Sequence, residues 1–232
     1  MKILPQNQSR RAMTLMDLAI VLAVLAILAL IALNGAMREQ DIRTRVLRLE
    51  CLNNLRAVGS AFRVWADDHN GNFPMSLSQT NGGSSEFITG MNAYRHFQVM
   101  SNELATPKVL LCPGDWTPGS THVAGKPAPS ADFTSFGNSN LSFFVGVDVR
   151  TTKGTMLLSG DRNITNGTAV KNGLLEVTTN TPAGWTVDPH DHMGNVLFAD
   201  GSVQRMNSGY LRLVLPKTGL ATNRLQMPVT IP

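Results

Sequence analysis

From Leu18 to Leu33 the chain runs through sixteen consecutive apolar residues, and from Met13 to Leu33 only Thr14 and Asp17 of twenty-one are polar. A helix rising ~1.5 Å per residue over that length spans a hydrocarbon core of ~30 Å. The lone acid is the anomaly, because a carboxylate at bilayer depth costs at least ~2.5 kcal/mol and marks a pairing site. Lys2, Arg10 and Arg11 precede the run, which places the N-terminus in the cytoplasm and sends the rest across an inner membrane in a single pass. An ordinary secretory signal is the competing reading, but it has an apolar region of roughly 7–15 residues and a small-x-small cleavage site. Asn34-Gly35-Ala36 meets that pattern only loosely. Cleavage ahead of the run, between Ala12 and Met13, instead leaves a new α-amine four residues from Asp17.

After Leu33 the pattern turns amphipathic. Ile42, Val46 and Leu49, then Leu52, Leu55, Phe62 and Trp65, recur at helical spacing, and no proline falls between Met13 and Phe73. One helix is expected over 13–68, with 13–33 as its membrane-spanning part. Gly35 and Gly59 each weaken it by ~1 kcal/mol against alanine, and Asp68-His69-Asn70-Gly71-Asn72-Phe73-Pro74 is its stop. Residues 69–232 suffice for one α+β head domain. In it the sequence predicts a helix over Phe87–Leu104 and strands at Lys108–Cys112, Leu141–Val147, Thr155–Ser159 and Leu174–Val177. A hairpin is expected from Asn195–Ala199 to Ser202–Met206, turning on Asp200-Gly201 with both residues at positive φ. Asn207 or Ser208 caps a last helix ending near Pro216.

The segment Ala12-Met13-Thr14-Leu15-Met16-Asp17-Leu18 resembles the processing and methylation signal of type IV pilins and type II secretion pseudopilins. In that family a prepilin peptidase cuts after a small residue, usually Gly, ahead of a Phe-Thr-Leu-Ile-Glu-Leu-like start. Here Ala stands for Gly, Met for Phe and Asp for Glu. The resemblance implies cleavage after Ala12, N-methylation of Met13, and a carboxylate at Asp17 that neutralises the Met13 amine of a neighbouring subunit. It also implies a filament of pilin-like subunits, homo- or hetero-oligomeric, and an inner-membrane assembly platform with its ATPase. The fold implied is a long N-terminal helix packed on a small antiparallel-sheet head, periplasmic or displayed on a filament. Cys51-Leu52-Asn53-Asn54-Leu55, Asp67-Asp68-His69-Asn70-Gly71, Leu111-Cys112-Pro113-Gly114-Asp115 and Gly160-Asp161-Arg162-Asn163 are similar to stretches of a large pseudopilin-like subgroup. So is the late pattern of His190, nine residues, then Asp200-Gly201.

The two cysteines, Cys51 and Cys112, lie on the oxidising side if the chain crosses the membrane. An isolated pair reads as a disulfide, since structural zinc takes four ligands at tighter spacing. His190 and His192 on a strand would share a face and, with Asp188, Asp191 and Asp200, suggest a metal or acid/base cluster. Asp-Pro-His-Asp-His-Met-Gly also reads as a loop entering the hairpin, with Asp200 serving the turn, and no metal is assigned. Major pseudopilins carry a structural calcium, for which Asp148, Asp161, Asp188 or Asp191 could supply oxygens, but no regularly spaced Asp-rich loop supports it. No Gly-x-Ser-x-Gly and no phosphate-binding glycine loop occurs, so no enzymatic activity is expected. Removing the three leader cations from the 20 basic side chains leaves 17 against 16 acidic, a balance that gives no reason to expect nucleic acid as a partner. Two other classes stay open: a membrane-displayed binding protein, for example for polysaccharide, and a periplasmic metal-dependent hydrolase centred on His190, His192 and Asp200. Trp65, Trp116 and Trp185 are assigned to the core or to loop anchoring.

Overall fold

A computed structural model describes residues 15–115, 127–187 and 189–228. Helix α1, Leu15–Asp68, is continuous over 54 residues, through the boundary at Arg45 and Val46 that separates the chain's two compact units. In the first unit, Leu15–Leu33 is apolar but for Asp17, exposed all round, and at 19 residues long enough to cross a membrane. In the second, one face of α1 is buried. Cys51, Leu55, Val58, Phe62 and Trp65 follow intervals of four and three and enter the core. The seam starts at Cys51, and the expected positions Ile42, Val46 and Leu49 remain exposed.

The helix stops because Asn70 and Gly71 take left-handed backbone, at φ 55° and 73°. Gly71 N then donates to Ala66 O at 2.8 Å, a 6→1 closure of the last turn. The His69 ring stacks on Trp65 at 3.6 Å between centroids.

Six antiparallel strands form one sheet in the order β4-β8-β1-β2-β6-β7. They are β1 Phe143–Gly146, β2 Leu157–Asp161, β4 Leu174–Thr178, β6 Met193–Phe198, β7 Val203–Asn207 and β8 Thr222–Gln226. Two short strands, β3 Ile164–Thr165 and β5 Gly184–Trp185, pair apart from it. The period-two alternation of the strands divides the interior into two cores. Phe143, Val145, Leu158 and Leu197 join the α1 residues and Phe97. Phe144, Leu157, Val196 and Phe198 join Trp185, Leu211, Val214 and Leu225. The sheet is therefore covered on both faces, by α1 on one and by α4, Ser208–Val214, on the other. Each fully buried Phe or Leu contributes roughly 1.5–3 kcal/mol. The class is α+β with an apolar N-terminal helix and an antiparallel sheet.

Four expectations about the head are corrected. The helix expected over Phe87–Leu104 is two short ones, α2 Ala93–Gln98 and α3 Ser101–Leu104. Gly90 breaks it, at φ 76° and with its N–H on Asn172 O at 2.7 Å. The expected strand at Lys108–Cys112 is a 3-10 turn, Pro107–Leu110, where Pro107 fixes φ and Thr106 caps Lys108 N. The hairpin turn is not the two-residue type. Gly201 N bonds Phe198 O, Phe198 N bonds Ser202 O, and only Gly201 has positive φ, 84°, which is a type I turn closed by a glycine bulge. Finally, β8 was not expected at all. Thr-Asn-Arg-Leu-Gln reads as polar, yet the strand lies inside the sheet with Asn223 and Gln226 buried and hydrogen-bonded. Asn207 does cap α4, its Oδ1 accepting from Tyr210 N at 2.8 Å.

Candidate functional site

Three separate stretches of chain meet at the first buried turn of α1. Cys51 faces inward from the helix and is bonded to Cys112, with Cα atoms 4.7 Å apart. Asn54, one turn on, donates Nδ2 to Leu111 O at 2.9 Å, a second tie between helix and cysteine loop. His190 comes from the loop before β6 and puts Nε2 3.3 Å from Cys112 Sγ and 3.4 Å from Asp161 Oδ2. Asp161 ends β2, and its Oδ2 also accepts from Asn195 N at 2.7 Å and Asn195 Nδ2 at 2.8 Å.

The surrounding residues hold these groups in place. The Cys112 loop turns through Asp115 N to Cys112 O at 2.9 Å. Arg162 grips the Asp115 carboxylate with Nε at 2.6 Å and Nη2 at 2.9 Å, a bidentate pair of the stronger kind. Asn163 Nδ2 donates to Thr186 O and Met193 O, fixing both ends of the His190 loop. Gly114 is needed for space, since a Cβ there would lie 3.0 Å from His190 Cε1. The stretch Gly160-Asp161-Arg162-Asn163 thus works as a unit that joins β2, the cysteine loop and the His190 loop.

Burial decides the charge state. His190 is 2% exposed and Asp161 1%. Desolvation pushes Asp161 up to about 7 against the two Asn195 hydrogen bonds, with the Asp115 charge adding to the rise. Desolvation, then the cations Arg48 and Arg205, push His190 down to about 4. The 3.4 Å contact is therefore not a conventional salt bridge, since burial opposes charge on either partner. The neutral imidazole carrying its proton on Nε2 satisfies the geometry. Asp161 Oδ1 and His190 Nδ1 have no hydrogen-bond partner among the described residues.

The segment from His190 to Gly201 meets α1 at Gly59 and Arg63 and reaches the disulfide that Cys51 of α1 makes with Cys112. His190 meets Cys112 at the Cys51 disulfide. Leu197 lies so close to Gly59 that a Cβ there would fall 2.7 Å from Leu197 Cδ1. Gly201 abuts the Arg63 stem, where its own Cβ would be 2.9 Å from Cδ. Asp200 serves the turn, with Oδ1 accepting from Ser202 N at 2.8 Å.

The remaining expected residues do not converge. His190 and His192 do not share a strand face. Asp191 and His192 are both left-handed, at φ 54° and 57°, which turns His190 inward and leaves Asp191 and His192 exposed. Asp148 binds Arg224 in a bidentate pair. It follows the end of β1 whose start, Phe143, pairs with Asp161, so the two cannot share a calcium. Ala12, Met13, Trp116 and Asp188 lie outside the described residues. Asp17 sits in the first turn of α1, where the helix dipole favours an acid. Trp65 and Trp185 are core residues. Asp161, Asn195 and Arg162 as partners of the cysteine loop were missed. For Asp161 and Arg162 the sequence signal was the Gly160–Asn163 stretch, and Asp161 was otherwise named only as a calcium ligand; Asn195 had none beyond its place in the expected hairpin.

No protein-family model, curated protein or solved structure matches the chain.

Proposed function

We propose that the chain is a pilin-like subunit, anchored by its apolar helix and assembled through it into a filament of the type II secretion or type IV pilus kind. The reading rests chiefly on one observation. A single helix carries an acid in its first turn, eighteen exposed apolar residues around and after it, and then a seam that packs a folded head. The resemblance of residues 12–18 to the prepilin signal gives that arrangement its sense.

In this reading a prepilin peptidase removes residues 1–12 and Met13 is N-methylated. The N-terminus begins in the cytoplasm and the head is periplasmic. On assembly the Leu15–Leu33 surface exchanges lipid for neighbouring helices, a transfer driven by packing because lipid tails are as apolar as leucine. Asp17 of one subunit pairs with the Met13 amine of the next, and each charge relieves the cost of the other in a dry core. The head is carried outward. The platform and ATPase supply the work of extraction.

The mature N-terminal residue and intact mass, taken from cell membranes, test this. A chain that begins at methylated Met13 supports it. A chain that begins at Met1 or near Met37 lacks the amine that Asp17 requires and refutes it.

A second reading has an observation of its own. A cleft of about 820 Å³, lined by polar groups such as Asn70, Asn72, Arg150 and Glu176 beside the Asp148–Arg224 pair, suits a displayed binding protein for a polar ligand such as a polysaccharide. That reading predicts glycan binding by the full chain that an Asp17→Ala substitution leaves intact.

A further inference from the structure

The Cys51, Cys112 and His190 donor atoms all lie within 4.8 Å of one another, in a buried cluster. Ligand atoms around tetrahedral zinc, at about 2.0–2.3 Å from the ion, stand about 3.3–3.8 Å apart. His190 Nε2 already has that spacing to Cys112 Sγ, 3.3 Å, and to Asp161 Oδ2, 3.4 Å. The two sulfurs are too close, because they are bonded to each other, and of these donors Asp161 touches only His190 and stands outside the group of three that lie within 4.8 Å of one another.

We propose that reduction of the Cys51–Cys112 bond turns this joint into a zinc site, with Cys51 Sγ, Cys112 Sγ, His190 Nε2 and an Asp161 carboxylate oxygen as ligands. Opening the S–S bond lets the cysteine side chains rotate apart and toward His190 and Asp161, which brings the sulfurs within reach of an ion that the imidazole and carboxylate also bind. The surroundings fit such a centre. Asn195 N and Nδ2 already orient the Asp161 carboxylate, the role that outer hydrogen bonds play at metal ligands. The second carboxylate oxygen, Oδ1, is buried without a partner among the described residues. Two thiolates and a carboxylate around Zn²⁺ carry a net charge of −1, and Arg48 and Arg205, both felt electrostatically by His190, offset it. A dithiol is the reductant. It gives two electrons and two protons and becomes a disulfide itself, the two protein sulfurs bind the ion as thiolates while the two protons are released, and the imidazole shifts to the tautomer with its proton on Nδ1, which frees Nε2 to bind. The same three anchor points then hold helix, cysteine loop and His190 loop in either redox state, through a bond or through an ion. This inference is independent of the filament reading.

The test uses the full chain in detergent, reduced with a phosphine under argon and titrated with Co²⁺. One equivalent is expected to bind with thiolate-to-cobalt charge-transfer absorption and the intense visible bands of tetrahedral cobalt. Zn²⁺ should displace it, and the oxidised chain should show neither. Cys51→Ser and Cys112→Ser each abolish the charge-transfer band expected of two thiolates, and His190→Ala and Asp161→Asn each weaken binding at least ~10-fold. Because a variant could fail to fold, the reduced wild-type chain is also melted with and without Zn²⁺, and the ion must raise its melting temperature. Reduced wild-type chain that gives octahedral cobalt spectra or no thermal shift overturns the proposal. Unchanged affinity in His190→Ala or Asp161→Asn overturns the ligand set.

Discussion

Gly59→Ala separates the intrinsic preference of a helix from the demand of its neighbour. In a solvated helix interior, alanine is favoured over glycine by ~0.8–1.0 kcal/mol. At Gly59 the new Cβ would sit 2.7 Å from Leu197 Cδ1 and 3.5 Å from Cδ2, with Gly201 O at 3.7 Å. Leu197 is fully buried in the core that α1 shares with the sheet, so its methyl has little free space to enter. Overpacking of this kind costs ~1–3 kcal/mol. The difference leaves Gly59→Ala between neutral and ~2 kcal/mol destabilised, a fall of up to ~4–8 °C for a domain of roughly 150–250 residues. Urea and thermal unfolding of the full chain in detergent, followed by circular dichroism, measures it. Leu197→Ala alone should cost ~2–5 kcal/mol as a buried truncation. Combined with Gly59→Ala it should cost less than the two added together, because the Cβ fills part of the space that Leu197 leaves. A Gly59→Ala chain stabilised by ~1 kcal/mol, with additive behaviour in the double variant, would falsify the claim that β6 presses on the helix here.

Three further outcomes are expected. Burial holds buried His96 down at about 4, against an opposing hydrogen bond to Gln226. The unfolded chain therefore takes up that proton first, and stability falls as pH drops from ~6.5 to ~4, by about 3 kcal/mol in all. His96→Gln should flatten that part of the urea midpoint against pH, and an unchanged slope refutes the assignment. Reduction of the Cys51–Cys112 bond without metal, which opens a cross-link over 61 residues, should lower unfolding free energy by ~4 kcal/mol in the chain-entropy treatment. Equal urea midpoints for oxidised and reduced chain would show that the denatured state is not constrained. Asp17→Ala should abolish sheared filaments in cell fractions while leaving the head's melting temperature unchanged, and Asp17→Glu should retain them. Normal filament yield from the alanine variant removes the proposed pairing.

The long helix could be read from the sequence because two strong patterns, an unbroken apolar run and then a helical period, follow each other with no proline between. Its stop could be read because Asn70 and Gly71 accept left-handed backbone. The hairpin was visible for the same kind of reason, although the turn type was not, since Asp200-Gly201 fits both a two-residue turn and a bulged one. β8 was hidden because its buried polar residues are satisfied by distant partners. Gln226, for example, bonds His96, Phe87 O and Gly90 O, and no local period records that. The helix expected through Phe87–Leu104 failed at Gly90, whose role depends on Asn172, eighty-two residues away. At the site, Cys51, Cys112 and His190 each stood out, but their meeting point did not. Adjacency drew attention to His192 and Asp191, which the left-handed turn points outward, while Asp161 was named only as a calcium donor and in a family-like stretch, because nothing local ties it to the cysteines.

The segment from His190 to Gly201, which meets α1 at Gly59 and Arg63 and abuts the Cys51–Cys112 bond, also determines how the head responds to tension. A pull applied to α1 at Val46 meets the Cys51–Cys112 linkage first. The contacts beyond it are then loaded in shear, side by side, instead of being peeled away one after another. Parallel bonds loaded together must fail together, so forced unfolding is slow even where each contact is modest. The arrangement is that of a rope spliced into a fitting, with a covalent pin at the mouth of the splice.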